Sequence, residues 1–303
     1  MSKFRTIITL LVLVTLVGCN VSINSTTSTS TTTTTAQTTT DQTTTTEEQT
    51  TTTEETTTTT EETTTTTESN SSSLDNSYYK DAIGKTGDQL KRALNDIIDN
   101  HTKLTYDEVK YALRDTDEDP NNSNNVILLY TGRSQAKSTF GGDRDDWNRE
   151  HVWAKSHGDF GKSMGPGTDL HHLRPTDASV NSTRGNKDFD YGGNYDKECK
   201  QCKTDSDSWE PSDNVKGDVA RMIFYMAVRY EGEHGEVDLE LNDHVNNGSR
   251  PYMGRLSVLL EWNRLDPVDE FEMNRNNVIY EDYQGNRNPF IDHPEWAELI
   301  WNN

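Results

Sequence analysis

The sequence predicts an α+β fold, in which a mainly helical domain carries a small strand-rich insertion with the functional site. Residues 76–303 are long enough to bury a hydrophobic core in a single domain. Apolar residues recur there at helical spacing, most clearly across 215–230, while short runs of β-forming residues lie between about 126 and 175. Helices around a compact strand-rich region are typical of an α+β architecture.

The N-terminal segment is predicted to direct export. Residues 1–18 combine Lys3 and Arg5 with an apolar run too short to span a bilayer, as in a secretory signal peptide. The run ends in Leu-Val-Gly before Cys19, which resembles a bacterial lipobox and makes Cys19 the predicted lipidation site. The alternative is a plain secretory signal with an incidental cysteine. The protein is then either a lipoprotein on the outer face of the membrane or a secreted protein.

Residues 19–75 form a low-complexity region composed almost entirely of Thr, Ser, Glu, Gln and Asn. Glu-Glu pairs recur in it every seven residues, but no apolar residue accompanies them, so a coiled coil would have nothing to bury. We therefore expect a disordered, solvated stalk that separates the folded domain, residues 76–303, from the membrane.

The folded domain is acidic. It contains 27 of the 29 Lys and Arg residues and 42 of the 51 Asp and Glu residues, which gives it a net charge of −15. This charge argues against a broad surface that coats nucleic acid, so any polyanion must be held locally. The basic residues near the predicted site that could form a phosphate-binding track are Arg144, Arg149, Lys155, Arg174, Arg184 and Lys187.

Cys199 and Cys202 are the two cysteines of the domain. In an exported protein, such a pair favours a local disulfide over half of a zinc site. No nearby histidine pair has the spacing that a four-ligand zinc site would need.

Local patterns predict where several elements begin. Thr86 is a candidate N-cap for a first helix, and Thr105 with Glu108 forms a capping-box pattern for a second. Residues 124–132 are predicted to form a buried strand. Further helices are predicted over 213–232, 255–265 and 293–301, the last with Asp292 as its cap.

The order of elements after Glu150 and His151 is predicted to be strand, turn, strand and short helix. A Gly-rich turn follows the first strand, and residues 169–174 alternate loosely between polar and apolar, as in a half-buried strand. Pro175, capped by Thr176 or Asp177, then opens a helix that Gly185 closes.

These elements would bring together the groups needed for metal-assisted phosphodiester hydrolysis. Oxygen atoms of Glu150 and Asn181 suit Mg²⁺, which keeps several waters and leaves room for a phosphate. The imidazole of His151 can take a proton from water at ambient pH. Arg184, on the same helix face as Asn181, either donates to a phosphate or simply faces the helix dipole.

The segment NREHVW followed by TDLHHLRPTDASVNSTRGN resembles the bacterial endonuclease I family of secreted or periplasmic nucleases. The core of that family is a ββα-metal, or His-Me finger, motif. The similarity continues through DSWEPSDNVKGDVARMIFYMAVRYEG, LLEWNRLDPVDEFEMNRNNVIY and QGNRNPFIDHPEWAELI, and thus covers essentially all of residues 80–301.

The resemblance implies that His151 is the general base, and that Glu150 and Asn181 bind one divalent cation, with Mn²⁺ and Ca²⁺ as alternatives to Mg²⁺. It also implies cleavage of DNA, RNA or both, with little sequence preference and with 5′-phosphate ends. Some members have an acidic residue where this chain has Asn148, which leaves the choice of metal open. The second nitrogen of His151 needs an acceptor, for which we expect a backbone carbonyl near residues 167–168.

Two other classes of protein are alternatives. A surface-anchored binding lipoprotein, such as an adhesin or a nutrient-capturing module on an inactive nuclease fold, would suit the anchor and stalk equally well. It would leave Glu150, His151 and Asn181 unexplained. A glycosidase would need paired carboxylates, and none lies in a motif better than chance. No obligatory protein partner is predicted, and membrane contact is expected only through the lipid.

Overall fold

The computed structural model describes residues 77–302. The predicted signal peptide, the predicted lipidation site at Cys19 and the predicted stalk lie outside the described residues. Within 77–302, no helix is both long and apolar enough to cross a membrane.

The described part of the chain contains both helices and strands, as an α+β fold requires. The α-helices are α1 (Gly87–Ile98), α2 (Tyr106–Thr116), α3 (Ala178–Arg184), α4 (Lys216–Arg229), α5 (Leu256–Leu265), α6 (Glu270–Val278), α7 (Pro289–Asp292) and α8 (Trp296–Trp301). The strands are β1 (Glu118–Asp119), β2 (Asn122–Ile127), β3 (Ser134–Ala136), β4 (Trp147–His151), β5 (Leu173–Asp177), β6 (Asp188–Phe189), β7 (Asn194–Tyr195), β8 (Lys203–Thr204), β9 (Ser208–Glu210), β10 (Glu240–Leu241) and β11 (Tyr252–Met253).

The capping signals read from the sequence are confirmed at α1 and α2. Thr86 is the N-cap of α1. At α2 both halves of the capping box form, because the hydroxyl of Thr105 accepts from the Glu108 amide and the Glu108 carboxylate accepts from the Thr105 amide. These bonds satisfy donors that the first turn of a helix leaves unpaired, and they fix the start of the helix that borders the site.

Helix α4 forms the centre of the main hydrophobic core. All of its residues are buried, and α1, α5 and α7 pack around it. The core around it also contains Trp153, Trp209 and Trp262, which are fully buried. A second cluster lies between α2 and the strands β2, β4 and β5, so both strands of the site region rest on packed apolar side chains.

The strands form four small sheets that reach well beyond the predicted window of 126–175. Strands β1, β2 and β3 form an antiparallel sheet, β4 pairs with β5, and β10 pairs with β11. The fourth sheet has the order β6-β9-β8-β7, next to the disulfide that joins Cys199 and Cys202. The short strands of this sheet lack the alternating pattern that would reveal them in the sequence.

Several predicted boundaries are wrong. The strand expected over 169–174 begins at Leu173, because Asp169 closes a turn by accepting from the His171 amide. Pro175 belongs to this strand. The carbonyl oxygen of Pro175 accepts a hydrogen bond from the amide of Leu129, on the side of β5 away from β4. In an antiparallel strand the N–H and C=O of one residue point to the same side. The N–H that proline lacks would therefore face away from β4 as well, so no hydrogen bond between β4 and β5 is lost.

Helix α8 begins at Trp296, and its N-cap is Glu295 rather than the expected Asp292. The Asp292 carboxylate instead accepts hydrogen bonds from Arg287 and Tyr79. The buried strand predicted over 124–132 ends at Ile127, and half of its six residues are exposed. Helix α6 was not predicted, since its polar sequence has no clear apolar stripe.

A buried ion network joins α2, β5, α4 and α6 around Asp117. One carboxylate oxygen of Asp117 accepts from Nε of Arg174, and the other lies 3.3 Å from Nε of Arg275. Arg174 also donates to Asp218 on α4 at 3.2 Å. Arg174 is therefore part of the interior, and its place in the predicted phosphate-binding track is wrong.

Replacing Asp117 with Asn should lower the free energy of unfolding by about 3–5 kcal/mol, because the change leaves two buried guanidinium groups short of a counter-charge. Chemical denaturation followed by tryptophan fluorescence would measure the loss. Asp81→Asn, which changes an exposed carboxylate, is the matched control and should change stability by less than about 0.5 kcal/mol. Equal stabilities for the two variants would contradict a structural role for this network.

Candidate active site

A cavity of about 700 Å³ lies beside β4. Strand β4 pairs with β5 along its length, and its other edge is bridged to Phe140 at Trp147, so the cavity is bordered by the residues of β4 that follow Trp147. The lining includes four consecutive residues of this strand, together with groups from α2, α3 and the loop after β4. These residues include Asn148, Arg149, Glu150, His151, Tyr106, Asn181, Lys155, Ser156 and Lys162.

Two antiparallel strands and a helix position the predicted site residues. Strands β4 and β5 pair from Trp147 opposite Asp177 to His151 opposite Leu173. Helix α3 follows β5 without a loop and packs on both strands. It ends at Gly185, which has a φ of 63° that favours glycine. The predicted order of strand, turn, strand and helix is therefore observed, with the second strand displaced along the sequence.

Glu150 is a buried carboxylate held at one oxygen. Its Oε1 accepts a hydrogen bond from the hydroxyl of Tyr130 at 2.8 Å and lies 3.2 Å from Nη1 of Arg184. Burial raises the pKa of the Glu150 carboxyl, while the positive charge of Arg184 and the bond from Tyr130 act in the opposite direction. Since both contacts go to Oε1, Oε2 is the oxygen available to a ligand in the cavity.

His151 is held by a backbone carbonyl, as the sequence analysis expected. Its Nε2 lies 3.2 Å from the carbonyl oxygen of Gly167, a contact that requires the proton on Nε2 and leaves the lone pair on Nδ1. Burial, with the neighbouring His172 and Lys155, holds the pKa of His151 well below 6.5, although the contact with Gly167 acts in the opposite direction. The ring of Tyr106 stacks on the imidazole at a centroid distance of 5.9 Å. The imidazole is thus neutral and fixed in orientation.

Asn181 is oriented by the residue that the family resemblance marked as unusual. Its Nδ2 donates to Oδ1 of Asn148 at 2.7 Å and to the carbonyl oxygen of Arg149 at 3.3 Å. These bonds use the amide nitrogen and leave Oδ1 of Asn181 as an acceptor. Asn148 therefore contributes to the site by fixing which atom of Asn181 can face a ligand.

Arg184 lies behind the cavity rather than in it. Its guanidinium is fully buried and donates to the carbonyl oxygens of His151 at 2.9 Å and Val152 at 2.7 Å, in addition to its pairing with Glu150. These contacts correct the expectation that Arg184 donates to a substrate phosphate, because its available donors face the interior. It acts instead as a positioning residue for β4.

The remaining cations of the predicted phosphate-binding track do not share one surface. Arg149 and Lys155 line the cavity. Arg144 lies at a second cavity and is 3.8 Å from Glu198, while Lys187 donates to Thr183 and Thr204. The local positive charge at the site thus comes from Arg149 and Lys155, together with Lys162, which the sequence analysis did not select.

Four groups at the site were missed by reasoning from the sequence. They are Tyr130, Tyr106, Ser156 and Lys162. Tyr130 lies at the end of the apolar run that predicted a strand, and no local signal marks its contact with Glu150. Ser156 lines the cavity, and its hydroxyl has no hydrogen-bond partner among the residues that the structure describes.

The donor set of the cavity fits a hard divalent cation. In the described part of the chain, no group of three or more His, Cys, Asp or Glu side chains could hold a metal ion. One carboxylate oxygen of Glu150 and one amide oxygen of Asn181 are few protein ligands, as is usual for Mg²⁺, which keeps several waters. The alternatives with sulfur or several imidazole ligands do not fit this set.

Two further histidines lie behind the site and are fully buried. His171 contacts the carbonyl oxygen of Asn286 through Nε2, and His172 contacts that of Pro166. Burial lowers the pKa of each to about 4, although the negative charge of Asp169 acts in the opposite direction. Both precede β5 and lie in a turn, rather than in the strand expected over 169–174.

Comparison with known proteins gives a consistent result. The sequence profile of the family described as Endonuclease I matches residues 86–295. The chain is 67% identical over 225 residues to the "Extracellular ribonuclease" of Bacillus amyloliquefaciens, covering 74% of this chain and 78% of the relative. It is 66% identical over 226 residues to the "Extracellular ribonuclease" of Bacillus subtilis (strain 168), with shares of 75% and 78%. An "Endonuclease-1" of Buchnera aphidicola subsp. Baizongia pistaciae (strain Bp) is 27% identical over 130 residues, with shares of 41% and 46%.

The buried neutral histidines should make stability depend on pH between about 6.5 and 4. In this range the unfolded chain binds a proton at each histidine and the folded chain does not, so stability falls as pH falls. Each histidine contributes a slope of up to about 1.4 kcal/mol per pH unit. His171→Gln should remove one such contribution, which denaturation at a series of pH values would measure. His244→Gln, a change at an exposed histidine, should leave the slope unchanged, and a similar slope in both variants would refute the assignment.

Proposed function

The chain belongs to the endonuclease I family, and we propose that it is an extracellular endonuclease that hydrolyses phosphodiester bonds of RNA and DNA with a divalent cation. The β4-β5-α3 unit is then its His-Me finger. The observation that carries the proposal is the imidazole of His151, which is held through Nε2 by the carbonyl of Gly167 and lines a cavity beside the buried carboxylate of Glu150. The catalytic details and the choice of substrate belong to the proposal.

His151 acts as the general base. With its Nε2 proton donated to Gly167, its Nδ1 accepts a proton from water while the water oxygen attacks phosphorus. The bond from phosphorus to the 3′ oxygen breaks and that oxygen takes a proton from solvent water, which leaves a 5′-phosphate and a 3′-hydroxyl. The stacked ring of Tyr106 prevents rotation of the imidazole, so the base is already oriented when substrate arrives.

Glu150 and Asn181 would hold the cation, for which Mg²⁺ is the simplest choice and Mn²⁺ and Ca²⁺ have the same ligand preference. When bound, the cation supplies positive charge to the scissile phosphate and to the leaving oxygen. Tyr130 and Arg184 keep the Glu150 carboxylate in place from the opposite side. They also oppose the effect of burial on its pKa, which favours the ionised form.

Arg149, Lys155 and Lys162 would bind the phosphates on either side of the scissile bond, since all three line the cavity. None of these groups requires a 2′-hydroxyl, because the attacking nucleophile is water rather than the sugar. The activity in the names of the two Bacillus relatives supports RNA as a substrate, and the same chemistry extends to DNA. The binding-lipoprotein alternative receives no support from the comparisons, and lipid attachment at Cys19 stays a prediction.

His151→Ala should lower kcat/KM by about 100- to 10,000-fold, the usual contribution of a general base. Wild type and variant would be assayed on an RNA and a DNA of matched sequence with Mg²⁺ and with EDTA, and the product ends would be mapped. We expect Mg²⁺-dependent cutting of both substrates with 5′-phosphate ends. His244→Ala, at an exposed position, is the control and should cut like wild type.

A result in which His151→Ala retains full activity would exclude His151 as the base. Cyclic 2′,3′-phosphate ends on RNA, with no cutting of DNA, would exclude water as the attacking group.

Asn148→Ala should weaken the apparent affinity for Mg²⁺ by about tenfold, because Asn181 loses the acceptor that orients its amide. Asn148→Asp retains an acceptor oxygen and should preserve most of the affinity. The Mg²⁺ dependence of the melting temperature and of the cleavage rate would both be measured. The proposed role of Asn148 fails if the alanine variant has the same Mg²⁺ midpoint as wild type.

A further inference from the structure

A row of alternating cations and aromatic rings extends from the cavity along the exposed side of α2. Its consecutive members, which we call the cation–aromatic row, are Lys162, Tyr106, Arg149, Phe140, Lys110, Tyr111 and Arg114. Each neighbouring cation and ring centroid are between 3.6 and 5.6 Å apart. Such distances lie within the range of cation–π contacts.

The inner half of the row belongs to the cavity wall. Nζ of Lys162 and Cζ of Arg149 lie 4.8 and 3.6 Å from the ring centroid of Tyr106, and Arg149 is also 5.0 Å from that of Phe140. All four residues line the cavity. The row therefore begins where the scissile phosphate would bind.

The outer half of the row leaves the cavity and reaches the surface. Nζ of Lys110 lies 5.6 Å from the ring centroid of Phe140 and 4.4 Å from that of Tyr111. Cζ of Arg114 lies 5.3 Å from the ring centroid of Tyr111. Tyr111 is 52% exposed, so its ring is accessible from solvent. A phosphate that attracts Lys110 or Arg114 would leave a face of this ring for a nucleobase.

The surroundings of the row are not uniformly positive. The exposed carboxylate of Asp107 lies 3.3 Å from Lys110 on the same helix. Asp115 and Glu108 face away from the row, because their carboxylates accept from Tyr283 and from the Thr105 cap. Asp107 is therefore the anion that directly opposes a polyanion on this surface.

We infer that the cation–aromatic row binds the single-stranded part of a nucleic acid that flanks the scissile phosphate, with a base stacked on Tyr111. Interleaved cations and aromatic rings are the arrangement by which proteins hold single strands without sequence preference. A duplex would keep its bases stacked inside and could not use Tyr111 in this way. This inference rests on the proposed function, because it assigns the path of the same substrate.

The test measures binding separately from cleavage. All variants are made in the His151→Ala chain, and their affinity for a labelled single-stranded oligonucleotide of about twelve nucleotides, within the range of single-strand sites, is measured by fluorescence anisotropy. Tyr111→Ala should weaken binding by about tenfold, the effect of one lost base stack. Asp107→Asn should strengthen it about twofold, because it removes the opposing charge.

Tyr195→Ala is the matched control, since Tyr195 is a 69% exposed tyrosine that does not belong to the row. It should leave the affinity unchanged. An abasic oligonucleotide of the same length, which keeps the phosphates but has no base to stack on Tyr111, should bind the Tyr111→Ala and control proteins equally. The inference is overturned if Tyr111→Ala binds the strand that carries bases as tightly as Tyr195→Ala does.

Failure of the proposed function gives a different result. In that case the chain with His151 intact would not cut either nucleic acid with Mg²⁺, whatever the anisotropy measurements show. Weaker binding by Tyr111→Ala would then still support the row as a single-strand binding surface.

Discussion

The site depends on the pairing of Arg184 with Glu150. A carboxylate that is to bind a cation, as proposed for Glu150, must stay ionised, yet burial of Glu150 raises its pKa. Arg184 opposes this effect, and two backbone carbonyls accept hydrogen bonds from its terminal nitrogens. Since these carbonyls belong to the end of β4, one side chain fixes α3 against β4. Asn181, almost one turn earlier on α3, is thereby held beside the strand that carries Glu150.

The imidazole of His151 is controlled by its surroundings rather than by a carboxylate partner. A carboxylate at Nε2 would raise the pKa of His151 and favour the charged ring, which cannot accept a proton. The carbonyl of Gly167 fixes the tautomer without adding a negative charge. Burial lowers the pKa of His151, with His172 and Lys155 acting in the same direction, while the contact with Gly167 acts in the opposite direction. A base with a low pKa is a weaker proton acceptor. The environment of His151 therefore keeps the imidazole in the neutral form that can accept a proton, but makes it a weaker base.

The sequence predicted the features of this protein that depend on neighbouring residues. The capping box at Thr105, the order of elements in the site and the acceptor near Gly167 all depend on short segments with clear chemistry. The misassigned cations depend on distant residues: Arg174 pairs with Asp117, which is 57 positions away, and Arg184 reaches back to β4. A basic residue near a motif has the same local appearance whether it faces solvent or the interior. Only the tertiary structure distinguishes the two.

Because the domain is acidic and only its cavity is basic, a nucleic acid must be bound through short-range contacts. With a net charge of −15 on residues 76–303, long-range forces repel a polyanion, and screening at physiological salt confines any attraction to about 8 Å. Arg149, Lys155 and Lys162 can therefore act only on phosphates that are already in the cavity. Affinity must then come from contacts that do not depend on net charge, and stacking on aromatic rings is such a contact. Tyr111 meets that requirement, because it is exposed between Lys110 and Arg114 and offers a face to a base when a phosphate attracts one of these cations.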